Sequence, residues 1–213
     1  LFRSWHLVLG VPNIRPKAEA RYEARIWFDR PGLAANPSED LVWLRGDLHM
    51  HTAHSDGTCL SNTRQKVACP VFRTLQAATA RGLDFISVTD HNTTSQANSL
   101  RELAPYFDNL VLIPGREITT FQGHANLFGT DEPFDFQLGS RAVPDFAALA
   151  RQVQSTDGLL SINHPAMPSG EICMGCGWSV PDTDYGRVGA MEVVNGGALA
   201  IAGGRADGLF SGL

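Results

Sequence analysis

From residue 42 onward, short apolar runs alternate with stretches of helical period. The runs at 42–51, 83–89, 110–118, 125–128, 159–163 and 190–194 read as strands, and 70–81, 95–106 and 144–155 as helices. Gly82 would close the first helix, and Pro144 followed by Asp145 would open the third. Strands alternating with helices in this way predict a mostly parallel α/β sheet or barrel. Residues 1–40 differ: Tyr22, Ala24, Ile26 and Phe28 alternate with Arg21, Glu23 and Arg25 as in a half-buried strand, and 31–40 has loop composition. The expected organisation is therefore the tail of a β-rich region with its linker over 1–40 and an α/β domain over 41–213. The chain opens on Leu1 with no charged-then-apolar export signal, and it reads as a processed or excised piece.

Composition narrows the function classes. At 213 residues and 43% hydrophobic the chain can bury a sizeable core, and no stretch approaches the roughly 20 apolar residues of a membrane span. The net charge of -5 supplies no field to hold an extended nucleic acid, and the four tryptophans are scattered rather than arranged as a stacking platform. The expected partner is a small molecule, with neither nucleic acid nor membrane, and nothing in the sequence sets the oligomeric state. Only Lys17 and Lys66 are lysines, so chemistry that needs an amine has two candidates, both away from strand ends.

Six of the seven histidines fall between 49 and 164, several directly after apolar runs, where α/β folds place ligands. In Asp47-Leu48-His49-Met50-His51 the two imidazoles share one face of a strand, because side chains two apart do. Asp56 follows in a Ser-Asp-Gly turn that can bring a carboxylate back to the same strand end. Later apolar runs end in Asp90-His91-Asn92, in Arg116-Glu117 and in Asn163-His164-Pro165, and His124 opens a further one. Seven oxygen and nitrogen donors at successive strand ends (His49, His51, Asp56, His91, Glu117, His124 and His164) predict two or three metal ions about a bridging carboxylate. Thiolate-free donors of this kind suit Zn, Mn, Fe or Co.

The ordered motifs DLHMHTAHSDG, TDHN, GREI, GHANLFG and NHP resemble those of the polymerase and histidinol phosphatase (PHP) family of metal-dependent hydrolases, from about Arg45 to the end. The resemblance implies a distorted (β/α)7 barrel with a trinuclear site. By position, His49, His51 and Glu117 would hold one metal, Glu117 would bridge to a second held by His124 and His164, and Asp56 with His91 would hold a third. Family members carry a late Asp-x-His that completes two of these shells. No histidine follows His164, and the last acid of the chain is Asp207, in a Gly-rich stretch, so the barrel is expected to lack its last strands in this chain. The preceding β-like segment, Trp43-Leu44-Arg45-Gly46-Asp47 and the Cys173 to Trp178 loop resemble the carbaryl-hydrolase-like branch, which implies ester or carbamate substrates.

The expected activity is hydrolysis by a metal-activated hydroxide, first of phosphoesters, with carboxylic esters or carbamates as the alternative and a noncatalytic binding module as the third reading. No Gly-x-Ser-x-Gly nucleophile is present. An amidohydrolase-type barrel, with a carboxylated lysine between its metals, is disfavoured because neither lysine lies at a strand end. Arg116 and Asp90 are the candidate catalytic side chains. Arg116 would stabilise developing negative charge or form an ion pair on the barrel wall; Asp90 would pass a proton, orient a histidine or cap its turn. Glu192 and Asn195 are candidates for the site edge, and His6 and His54 read as structural. Cys59, Cys69, Cys173 and Cys176 allow three disulfide pairings or a four-thiolate zinc site; closed disulfides would indicate a periplasmic or secreted protein, free thiols the cytoplasm.

Overall fold

The computed structural model describes residues 43–171, 173–193 and 195–196. The β-like segment and linker expected over 1–40, His6 and Asp207 lie outside the described residues. Three parallel strands, β1 (Gly46–Met50), β4 (Phe85–Val88) and β5 (Val111–Ile113), form one sheet in the order β1-β4-β5. Four more, β6 (Gly115–Thr120), β7 (Gly123–Phe128), β8 (Leu159–Ile162) and β9 (Ala190–Met191), form a second in chain order. Only Pro114 separates β5 from β6, and a parallel bridge between His91 and Glu117 ties the end of β4 to β6. The two sheets thus meet where the candidate donors lie.

Helices α1 (Val71–Ala80) and α2 (Gln96–Leu103) cover the first sheet, and α3 (Phe146–Gln154) covers the second. The buried stripe Val71, Leu75 and Ala78 of α1 packs with Ile86, Val88 and Leu100, as a 3.6-residue period requires. On α3, Phe146, Leu149 and Val153 meet Ile118, Leu127 and Leu160. Asp145 caps α3 by accepting the Ala148 N–H at 2.7 Å, and Gly82 follows α1 in the left-handed region at φ +65. Both helix-end signals in the sequence are therefore realised.

Strand alternation sorts the side chains into two environments. Ile118, Ala125, Leu127, Leu160 and Ile162 are buried apolar residues of β6 to β8, while their strand neighbours Glu117, Thr119, His124, Asn126 and Ser161 line a cavity on the opposite face.

The fold is mixed α/β, and it departs from the expected parallel barrel. β6, β7 and β8 run antiparallel, and no ladder closes the sheet among the described residues. The cause is a short link: only Phe121 and Gln122 join β6 to β7, whereas a parallel return needs a crossover of a dozen or more residues. A short antiparallel hairpin of β2 (Thr58–Leu60) and β3 (Lys66–Ala68) was not foreseen; its three-residue strands are too short to show a period. Cys59–Cys69 closes beside it, and Cys173–Cys176 forms a second disulfide. No helix among the described residues is long and apolar enough to cross a membrane.

Candidate metal centre

Glu117 is fully buried on β6, and five imidazoles from four parts of the chain surround its carboxylate. His49 Nε2, His124 Nδ1 and His164 Nε2 lie 3.4, 3.3 and 3.6 Å from Oε1. His51 Nε2 and His91 Nδ1 lie 3.5 and 2.8 Å from Oε2. Asp56 joins from the loop after β1, its Oδ1 3.7 Å from His91 Nε2 and 3.9 Å from His51 Nδ1. All seven donors predicted from the sequence are thereby brought together, at the edge of a cavity of about 1170 Å³.

A further ring of polar groups fixes these side chains. Asn163 donates to Glu117 Oε1 at 2.8 Å and to Asn126 Oδ1 at 2.9 Å, and Asn126 donates to the Leu48 carbonyl at 3.1 Å. Glu192 contacts His49 Nδ1 at 2.9 Å and accepts the His164 backbone N–H at 2.8 Å, which ties β9 to both histidines. His164 itself sits at φ +27, an uncommon backbone for a non-glycine residue that this bond helps to hold. The Met174 carbonyl faces His124 Nε2 at 3.1 Å. Those outer contacts turn Nε2 of His49 and Nδ1 of His124 toward Glu117.

Electrostatics follow from this packing. Burial alone would raise the Glu117 carboxyl, but the close imidazoles of His124, His164, His49 and His91 hold it far below the usual carboxylate range. Burial opposes charge on His49, yet Glu117 and Glu192 together raise it to about 10. His91 is raised by the same contest between burial and its bond to Glu117. His51 is lowered: burial dominates, and His91 and His49 add repulsion to it. In a metal-free cavity the carboxylate thus keeps protons on part of its imidazole ring.

The donor set fits divalent metal ions. Three groups lie close enough to share an ion: His49, His51 and Glu117; His91, Glu117 and His124; and His51, Asp56 and His91. Glu117 Oε2 and the Nδ1 atoms of His51, His124 and His164 are buried without a hydrogen-bond partner among the described residues, His91 Nδ1 facing Oε2 out of line. Glu117 Oε2 and His124 Nδ1, unpartnered acceptors within the donor cluster, are what a cation would satisfy.

The two candidate catalytic side chains stand elsewhere. Arg116 follows strand alternation onto the opposite face from Glu117, where its guanidinium lies 4.8 Å from the Phe134 ring centroid and bonds the Glu132 carbonyl. It does not line the cavity. Asp90 is fully buried, and its carboxylate accepts the Thr52 N–H at 2.7 Å, the Thr52 hydroxyl at 2.7 Å and the Ser55 hydroxyl at 2.6 Å. It anchors the loop that carries His51 and Asp56. His54 bonds Ser95 outside the cluster, in keeping with a structural role. Asn163 and Asn126 escaped the sequence reading; Asn163, directly before His164 at a strand end, was the one available signal.

No protein-family model and no curated protein matches the chain. Solved structures do. A two-domain protein from Bacteroides vulgatus, containing a predicted PHP-like metal-dependent phosphoesterase, aligns at 25% identity and TM-score 0.52 over 70% of this chain and 44% of its own. A protein from Bifidobacterium adolescentis described as a metal-dependent phosphoesterase aligns at 16% identity and TM-score 0.48, over 76% and 84% of the two chains. An amidohydrolase from Chromobacterium violaceum, with bound sulfate and no metal, aligns at 22% identity and TM-score 0.31 over 52% of this chain and 32% of its own. The chain spans less than half the length of the Bacteroides protein. The Bacteroides structure supports the family read from the motifs, and the carbaryl-hydrolase-like branch finds no support.

Proposed function

We propose that this PHP-like chain is a metal-dependent hydrolase of phosphoesters, working at a cluster of two or three divalent ions around Glu117. The observation that carries the reading is the buried Glu117 carboxylate with five imidazoles within 3.6 Å, drawn from four strands or their ends. Divalent ions bound there supply Lewis acidity and lower the pKa of a bound water toward neutrality. The protein's part is to hold the donors in place. Glu117 would supply the charged ligand, Asn163 would keep Oε1 in register, and Glu192 and the Met174 carbonyl would set the tautomers of His49 and His124. The described cavity wall holds no lysine or arginine, so the charge of a phosphate would be met by the ions and imidazoles rather than by a guanidinium.

On this reading Arg116 supports the fold and Asp90 positions the loop of His51 and Asp56. The substrate would be a small ester that enters the open cavity. The two closed cysteine pairs favour a periplasmic or secreted location. The test is a turnover screen of aryl phosphomonoesters, phosphodiesters and aryl carbamates on chelator-stripped protein resupplied with manganese or zinc. Metal-dependent phosphoester hydrolysis that disappears in Glu117→Gln supports the proposal. Turnover of carbamates alone would transfer it to the alternative ester reading, and metal binding without turnover of any would leave a binding module.

A further inference from the structure

Two cysteines with no part in the proposed reaction lie beside two histidines of the Glu117 ring. His124, His164, Cys173 and Cys176 each offer a donor atom, all within 4.8 Å of one another. Cys176 Sγ lies 4.0 Å from His164 Nε2. A tetrahedral ion with Zn–S bonds of about 2.3 Å and Zn–N bonds of about 2.0 Å separates its donors by roughly 3.3–3.8 Å, so small side-chain motions would close the set. The geometry points to a second metal-binding mode: with Cys173 and Cys176 as thiols, they and the two histidines form a four-donor site for a thiophilic divalent ion.

The loop is built to present both sulfurs. Cys176 N–H turns back toward the Cys173 carbonyl, Gly175 N–H bonds Ser169 Oγ at 2.9 Å, and the intervening Met174 carbonyl faces His124. Gly175 sits at φ +80, and a Cβ there would fall 2.0 Å from the Thr120 carbonyl oxygen. Only glycine lets the loop lie this closely against the β6–β7 turn, two residues after which His124 follows. Cys176 is buried at 3% exposure, so the site is partly shielded from solvent. Two thiolates with two imidazoles select zinc-like ions over the harder ions that carboxylate-rich shells accept.

Disulfide and ion exclude each other. Opening the pair takes two electrons: an external dithiol becomes a cyclic disulfide while Cys173 and Cys176 become thiols, and each thiol gives up its proton on taking the ion. Because His164 Nε2 also lies 3.6 Å from Glu117, the thiol state of this pair would decide whether that imidazole serves the Glu117 cluster or the cysteine site. The inference shares His124 and His164 with the proposed function but does not need Glu117.

Cobalt(II) is the probe. The whole protein is reduced with a phosphine, which leaves as its oxide with oxygen taken from water, and is then desalted without air and titrated. A near-ultraviolet sulfur-to-cobalt charge-transfer band is expected in the wild type, in Glu117→Gln and in a Cys59→Ser/Cys69→Ser double variant. It should vanish in Cys176→Ser. Cobalt bound without the band, or a band that survives Cys176→Ser, overturns the inference while leaving the Glu117 cluster standing. A band with about one equivalent of cobalt in the reduced protein keeps the inference, and the cluster is judged separately on the disulfide form, where no cobalt uptake would remove it. Zinc should also slow alkylation of Cys173 and Cys176 by about tenfold or more in the reduced wild type, a reading that needs no variant to fold; equal rates with and without zinc would contradict the site.

Discussion

Replacing Asp90 with alanine separates a positioning role from a proton-transfer role. The substitution removes the acceptor of the Thr52 N–H and leaves two hydroxyls, of Thr52 and Ser55, without their carboxylate. Thr52 is fully buried, so water cannot replace the acceptor for its N–H. One buried unsatisfied donor costs about 1–3 kcal/mol, and each bond to a charged acceptor contributes about 1.5–3 kcal/mol, though the hydroxyls can turn to new partners. We expect a net loss of about 3 kcal/mol in urea unfolding of the metal-free protein. Asp90→Asn, which keeps one carbonyl acceptor and offers an amide to a hydroxyl oxygen, should recover more than half of that loss. In the metal-loaded protein Asp90→Ala should also weaken the ion held by His51, Asp56 and His91, because all three donors border the loop it anchors. A stability change under about 0.5 kcal/mol, together with a lost limb in the pH–rate profile, would refute this reasoning and return Asp90 to the chemistry.

Arg116→Met should cost about 1–2 kcal/mol of stability through the lost contacts to Phe134 and the Glu132 carbonyl, with metal content unchanged; lost metal at unchanged stability would place it in the site. The metal-free protein should depend on pH through His49. Its folded pKa lies above the ordinary 6.5, so its contribution is fully present below that value and is lost as pH rises through about 10. Thermal scans of chelated protein should therefore show a falling Tm across that window, and zinc should flatten the dependence because bound imidazoles carry no titrating proton; a chelated Tm that rises over the same window would contradict the Glu117 contact. Glu192→Gln should lower metal affinity about 10- to 100-fold by releasing His49 and the His164 backbone, and an unchanged affinity would remove β9 from the site.

The donors were legible because metal ligation leaves local marks. A His-x-His pair on a strand, and acids or histidines directly after apolar runs, show in the sequence whatever the strand order, and the face of each strand follows from its period of two. The same period that turns Glu117 inward turns Arg116 outward, so adjacency along the chain misplaced one candidate that alternation places correctly. Strand direction was less legible. It depends on the two-residue link Phe121-Gln122 and on partners distant in sequence, and period alone does not report either. The asparagines were hidden for another reason: Asn126 and Asn163 act through Glu117 and the Leu48 carbonyl, contacts that exist only once β1, β6, β7 and β8 are assembled.

Glu117 as the centre of a metal cluster is the claim on which the rest depends. The direct measurement is metal content by elemental mass spectrometry, on folded protein purified without chelator, for the wild type, Glu117→Gln and His164→Ala. The account predicts about two or more divalent ions per chain in the wild type, with at least about one lost in each variant while the circular-dichroism spectrum is retained. A metal-free wild type, or a full complement of metal in Glu117→Gln, would contradict it.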